Sequence, residues 1–304
     1  MLRLTAILFF LAPVIVRAEV LVLVPGTCNS YVPGGSDPEE LRAYPYFSKA
    51  VVETARSEGY ETYVVHGLSP TGDLEANGRQ ALSDLRAWYL ARHPRADEPI
   101  ALLGHSAGGL YALYAASHRG ELPIGKVILV STPLEGARLA DFFLRGGPAA
   151  QRLWDKLLAY RPYLDLSGLR EMRPTEVARF LSGLSLDPVI RVFAVGGAQP
   201  LPGGPLEATH PDFLSPPFAL AGKAIGVEND GIVDTDSAWG RRARVPTTSG
   251  KPAVIVRLSA ARAALEHAEQ FMDYRLLGFF GTRGAWVIEP RQRAFYSRLL
   301  RAAR

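Results

Sequence analysis

The chain has 304 residues, 48% of them hydrophobic and 21% charged, the balance of a soluble globular protein long enough to bury a sizeable core without covalent staples. The formal net charge of +4 falls to +2 once residues 1–18, which carry Arg3 and Arg17, are removed. With no basic run and no aromatic–basic repeat, this weak excess excludes a nucleic-acid partner, and Cys28, the sole cysteine, excludes an intramolecular disulfide.

Residues 1–18 read as a secretory signal. Arg3 gives the charged start, LTAILFFLAPVIV the apolar stretch, and Val16-Arg17-Ala18 the cleavage site before Glu19. The apolar run is short for a membrane span, and Pro13 interrupts it. Secretion or periplasmic export follows, with residues 19–304 as one mature domain.

EVLVLVP (19–25) is a buried strand ending at Pro25-Gly26. Residues 45–60 carry helical spacing and stop at Gly59. A strand over 61–66, a helix over 74–93, a strand over 99–105, a helix over 106–118 and a strand over 126–131 follow. Residues 187–197 and 251–259 supply two more strands, and 267–280 a further helix. Strands alternating with crossover helices imply an α/β fold, with a mostly parallel central sheet and helices on both faces. Residues 133–186 break the rhythm with DFFLRGG, QRLWDKLLAY and EVARFLSGL, short amphipathic helices that read as a cap or lid over the site. The Pro- and Gly-rich 198–222 reads as a long loop.

Residues 104–108 spell Gly-His-Ser-Ala-Gly between a strand and a helix. This resembles the nucleophile elbow of α/β-hydrolases, where a tight turn projects the serine hydroxyl from the sheet. Ser106 is the expected nucleophile. Cys28 is set aside, because no elbow surrounds it. Chain order in that fold runs serine, acid, histidine. His66 and His93 precede Ser106, His105 lies inside the elbow with its side chain directed away from the serine, and His118 ends the elbow helix. The base is therefore His267, which follows the last strand, with His210 in ATHPDF as the runner-up. The acid is Asp230 in Asn229-Asp230-Gly231, with Asp234 and Asp236 as rivals. An oxyanion hole needs two donors. The N–H of Ala107, next to the nucleophile, is one, and Thr27, after the first strand, is the other.

Several segments carry a wider resemblance. PYFSKAVVETARSEGYETYVVHGLSP, GHSAGG, STPLEGARLADFFLR and NDGIVDTDSAWG occur in that order. They resemble secreted bacterial triacylglycerol lipases of the Pseudomonas–Burkholderia type. Carried over, the elbow serine, the aspartate of NDG and a later histidine are Ser106, Asp230 and His267. The resemblance implies an acyl-enzyme mechanism on carboxylic esters, a lipid or ester substrate, transient contact with a lipid interface, and a role in lipid degradation. It leaves a dedicated lipase folding helper open as a partner. The chemistry needs no cofactor. The family's structural calcium would fall here on Glu269 and Asp212, and the family's disulfide cannot form. GRRARVPTTSGKP (240–252) is longer than usual between acid and base. Within the same class stand a short-chain carboxylesterase and a phospholipid- or polyester-cleaving relative. A non-catalytic lipid-binding protein on the same fold is the reading from another class.

Overall fold

The computed structural model describes residues 19–26, 46–69, 72–95, 97–148, 150–152, 155, 166–197, 226–261, 265, 267, 270–271 and 279–304. In chain order the elements are β1 (Val20–Val24), α1 (Lys49–Ser57), β2 (Glu61–Val64), α2 (Leu74–Arg92), β3 (Ile100–His105), α3 (Ala107–Ser117), β4 (Ile124–Val130), α4 (Arg138–Arg145), α5 (Leu166–Glu171), α6 (Pro174–Ser182), β5 (Arg191–Val195), α7 (Thr235–Ala238), β6 (Ile255–Arg257) and α8 (Phe279–Ala302). The strands form one sheet in the order β2-β1-β3-β4-β5-β6, and every pairing is parallel.

The central strands are apolar throughout because both faces are covered. Val20, Val22 and Val24 of β1 enter the core beneath α2 and α3. Leu21 and Leu23 enter the opposite core, with Phe47 and Val51 beside α1 and Phe295, Tyr296 and Leu299 of α8. β3 divides the same way, Ile100 and Leu102 to one side, Ala101 and Leu103 to the other. The alternation is the period of two that a strand imposes. At the far edge, Val254 and Val256 beside and within β6 are exposed.

Local chemistry starts the helices. Ser48 caps α1 by accepting from the Val51 N–H at 3.3 Å, and Asp73 caps α2 by accepting from Ala76 at 2.6 Å; such caps contribute about 1 kcal/mol each.

One expectation changes. His267, Gln270 and Phe271 lie in turns where a helix over 267–280 was expected, and the His267 N–H donates to the Asp230 carbonyl at 2.9 Å. The long α8 follows instead, with Pro290 inside it. Within the 133–186 segment, Val177 and Leu181 of α6 join the core beside α3. Leu139 and Phe143 of α4 form a separate small cluster with Ala150, against which Phe142, Leu169 and Ile232 pack. No helix among the described residues is long and apolar enough to cross a membrane.

The α2–α3 contact tests the packing. Gly78 lies within α2, where alanine would ordinarily add about 1 kcal/mol of helix propensity. A β-carbon there would sit 2.5 Å from Cγ of Tyr114, and such overpacking costs about 1–3 kcal/mol. Gly78→Ala should therefore lower the urea midpoint. A raised midpoint would contradict this packing.

Candidate active site

The site lies at the carboxyl ends of the strands, where the last residues of β3, β4 and β5 meet the loops that follow them. Ser106 stands at the end of β3 with φ 56 and ψ −134, a left-handed conformation that a non-glycine residue adopts only under constraint. Its N–H donates to the Val130 carbonyl at 2.9 Å, and its carbonyl accepts from the Gly109 N–H at 3.1 Å, so the turn is fixed between β4 and α3. The flanking glycines are steric requirements. A β-carbon at Gly104 would collide with the backbone of Gly108 and Gly109, and one at Gly108 with the Val24 carbonyl at the end of β1.

Ala107 is the first residue of α3, so its N–H has no acceptor within the helix. Gly26, two residues past β1, would place a β-carbon 2.9 Å from Cβ of Ser106, so the chain leaving the first strand presses directly on the elbow. Thr27 lies outside the described residues, as do His210, Asp212, Glu269 and Cys28. The calcium expectation on Asp212 and Glu269 thus falls on undescribed positions. Among the described residues there is no cluster of three or more His, Cys, Asp or Glu able to hold a metal.

Asp230 and His267 come together although 37 residues separate them: His267 Nδ1 lies 2.8 Å from Asp230 Oδ2. The contact is doubled by the backbone bond from the His267 N–H to the Asp230 carbonyl. The Asn-Asp-Gly sequence builds the turn that aims the carboxylate. Asn229 Oδ1 accepts from the Gly231 N–H at 2.7 Å, and Gly231 takes φ 98, which glycine adopts without strain. Asp230 Oδ1 accepts from the N–H groups of Ile232 at 3.1 Å and Val233 at 2.8 Å. Burial alone would raise this carboxyl. The adjacent His267 charge, the His267 hydrogen bond, the Val233 N–H and the Ser131 hydroxyl outweigh it and hold the pKa at about 2.

The rival acids are engaged elsewhere. Asp234 caps α7, accepting from the Ser237 N–H at 3.0 Å, and its pKa is raised, mainly by burial. Asp236 pairs with Arg241 at 2.9 Å on the surface.

Four further residues, Ser131, Gln270, His105 and Tyr46, surround these groups. Ser131, at the end of β4, has φ 45, accepts from the Gly197 N–H at 3.1 Å and faces the Asp230 carboxylate. Gln270 is fully buried and donates to Asp230 Oδ2 at 3.2 Å. His105 is fully buried, and its ring centroid lies 4.6 Å from that of His267. Tyr46 places its hydroxyl 2.9 Å from His105 Nδ1. His105 precedes Ser106 directly, so its ring contact sets the Asp230–His267 pair beside the elbow.

No protein-family model matches the sequence, and no curated protein is similar to it. Solved structures do match. Lipase 1 from Pelosinus fermentans is similar at a TM-score of 0.58 and 13% identity, over 94% of this chain and 99% of that one. EstA from Clostridium botulinum matches at 0.57 and 14%, over 95% and 88%, and a Bacillus licheniformis lipase in its mature form at 0.52 and 20%, over 83% and 85%.

The depressed Asp230 pKa has a stability consequence. A carboxyl whose pKa drops on folding, here from 3.8 to about 2, stabilises the fold above its unfolded value and loses that contribution as pH falls through the folded one. Asp230→Asn should be less stable than the parent by about 2 kcal/mol near neutrality. By urea denaturation across pH, the gap should close between about pH 4 and pH 2; a pH-independent gap would contradict it. At these identities the likeness is one of architecture, and the parallel sheet with helices on both faces is the α/β-hydrolase fold.

Proposed function

We propose that this chain is a serine carboxylic-ester hydrolase, most specifically a triacylglycerol lipase of the Pseudomonas–Burkholderia type, acting through an acyl-enzyme on Ser106. One observation carries the reading: a strained elbow serine sits one residue from an imidazole that packs on His267, which is itself hydrogen-bonded to a buried, ionised Asp230. A serine hydroxyl is a poor nucleophile until a base takes its proton, and a base needs a fixed orientation and tautomer. Asp230 supplies both by accepting from Nδ1, which leaves Nε2 of His267 to act on the hydroxyl.

In this mechanism His267 accepts the Ser106 proton as the oxygen attacks the ester carbonyl. The tetrahedral oxyanion is held by the N–H groups of Ala107 and Thr27. The alcohol leaves with the proton from His267, and an acyl-serine remains. Water, deprotonated by the same imidazole, attacks the acyl-serine, and the acid departs with Ser106 reprotonated. No step passes through a metal. A calcium on Glu269 and Asp212 would serve structure alone.

An apolar cluster near the acid accords with a lipid substrate. Ile232, two residues past Asp230, packs on the α4 cluster of Leu139 and Phe143, which suits an acyl chain and a cap that meets a lipid interface. Export behind the 1–18 signal and a folding helper accord with that role. A short-chain carboxylesterase, or a relative cleaving phospholipids or polyesters, would use the same serine chemistry. A lipid-binding protein without catalysis would not need Asp230 ionised against His267.

Ser106→Ala should abolish p-nitrophenyl ester turnover while the unfolding curve stays that of the parent. In the parent, activity on emulsified long-chain triglyceride should exceed that on monomeric short esters. Retained turnover in Ser106→Ala would reject the mechanism, and equal rates on the two substrates would select the esterase alternative.

A further inference from the structure

Behind the Asp230–His267 pair lie two buried polar atoms with complementary needs. Nε2 of His105 and Oε1 of Gln270 are both shielded from solvent, and neither has a hydrogen-bond partner at ordinary geometry. Unsatisfied buried polar groups are costly, so two of them side by side are informative. The Gln270 side chain faces the His105 ring, as does the His267 carbonyl.

The orientation of each group follows from its other contacts. Gln270 presents its amide nitrogen to two acceptors, Asp230 Oδ2 at 3.2 Å and the Leu265 carbonyl at 3.3 Å. The reversed amide would set oxygen against a carboxylate and a carbonyl, so Oε1 points the other way. The Tyr46 hydroxyl lies 2.9 Å from His105 Nδ1, and it is assigned as the donor because a phenol O–H donates readily to a neutral imidazole nitrogen. With Nδ1 as acceptor, the neutral ring carries its proton on Nε2. Burial, reinforced by the neighbouring His267, keeps the His105 pKa well below its ordinary value, so the ring stays neutral. The protein also reserves space for the amide: a β-carbon at Gly197 would collide with Nε2 of Gln270 and sit 2.7 Å from the Leu265 carbonyl.

We propose that Gln270 is a positioning residue for Asp230, and that Tyr46 and His105 set its amide through a buried relay running from the Tyr46 hydroxyl to His105 Nδ1, from His105 Nε2–H to Gln270 Oε1, and from Gln270 Nε2–H to Asp230 Oδ2. The relay rests on the proposed catalytic role of His267 and deepens it. It gives one role to Tyr46, His105 and Gln270, and it fixes the oxygen that also receives His267. Among the described residues, the titratable groups facing the His267 ring are Asp230, from the loop after β5, and His105, at the end of β3.

The test compares Gln270→Met, His105→Leu and their double variant in the mature protein, with His105→Gln as the conservative control. Turnover of a p-nitrophenyl ester is measured together with an NMR titration of the His267 imidazole. Gln270→Met should lower kcat about tenfold, the scale for losing a hydrogen bond to a charged group, with KM little changed. The imidazole pKa should rise, because the carboxylate facing it loses a donor that shared its charge. His105→Leu should act in the same direction and more weakly. His105→Gln, which keeps a donor at the Nε2 position, should stay near the parent. The double variant should lose no more than Gln270→Met alone, since both remove one relay. Should the methionine variant not fold, His105→Leu against His105→Gln carries the same readout, the imidazole pKa rising in the first and staying near the parent in the second. An unchanged kcat and imidazole pKa in the Gln270 variant, or losses that multiply in the double variant, would overturn the relay. The NMR shift reports the relay whether or not Ser106 is the nucleophile, so its failure is separable from that of the hydrolase reading.

Discussion

A carboxylate buried to 1% exposure at Asp230 would be strongly disfavoured without partners. The chain answers with the N–H groups of Ile232 and Val233 on one oxygen and the side chains of His267 and Gln270 on the other. That arrangement ties the loop after β5 to the loop after β6 and fixes the imidazole in one tautomer. The rest of the site depends on it, because without an ionised Asp230 neither the orientation of His267 nor the packing of Gln270 has a cause.

Strain is concentrated beside this charge. Ser106 and Ser131 are the non-glycine residues with positive φ among those described, and they stand at the ends of the neighbouring strands β3 and β4. Each is held by a backbone bond to the next strand, Ser106 to Val130 and Ser131 to Val195. The parallel sheet thus does two things. Its buried, apolar strands make a rigid base, and its carboxyl edge forces two serines into conformations they would not choose. One serine is proposed to meet substrate, and the other holds the acid from below.

Much of this was legible in the residues. Strands β1, β3 and β4 are apolar runs because both sheet faces are covered, and the elbow glycines announce a turn too tight for β-carbons. Asn229-Asp230-Gly231 reads as a turn, and it is the turn that aims the carboxylate. Periodicity predicts a helix over 267–280, whereas His267, Gln270 and Phe271 lie in turns, and no local pattern reveals that His267 and Gln270 both bond Asp230. The C-terminal helix is obscured by Gly281, Gly284 and Pro290, which weaken any local pattern. Gln270, Tyr46 and Ser131 left no trace because their roles arise from contacts between segments distant in sequence. α6 resembled part of a cap, yet Val177 and Leu181 face the core, a distinction that amphipathic spacing does not make.

The most direct test of the central claim is covalent labelling of the purified mature protein with a p-nitrophenyl alkylphosphonate, read by peptide mass spectrometry. The account predicts one phosphonyl group per chain, on the peptide containing Ser106, with the label lost in the His267→Ala variant. Labelling at another residue, or undiminished labelling without the imidazole, would contradict it.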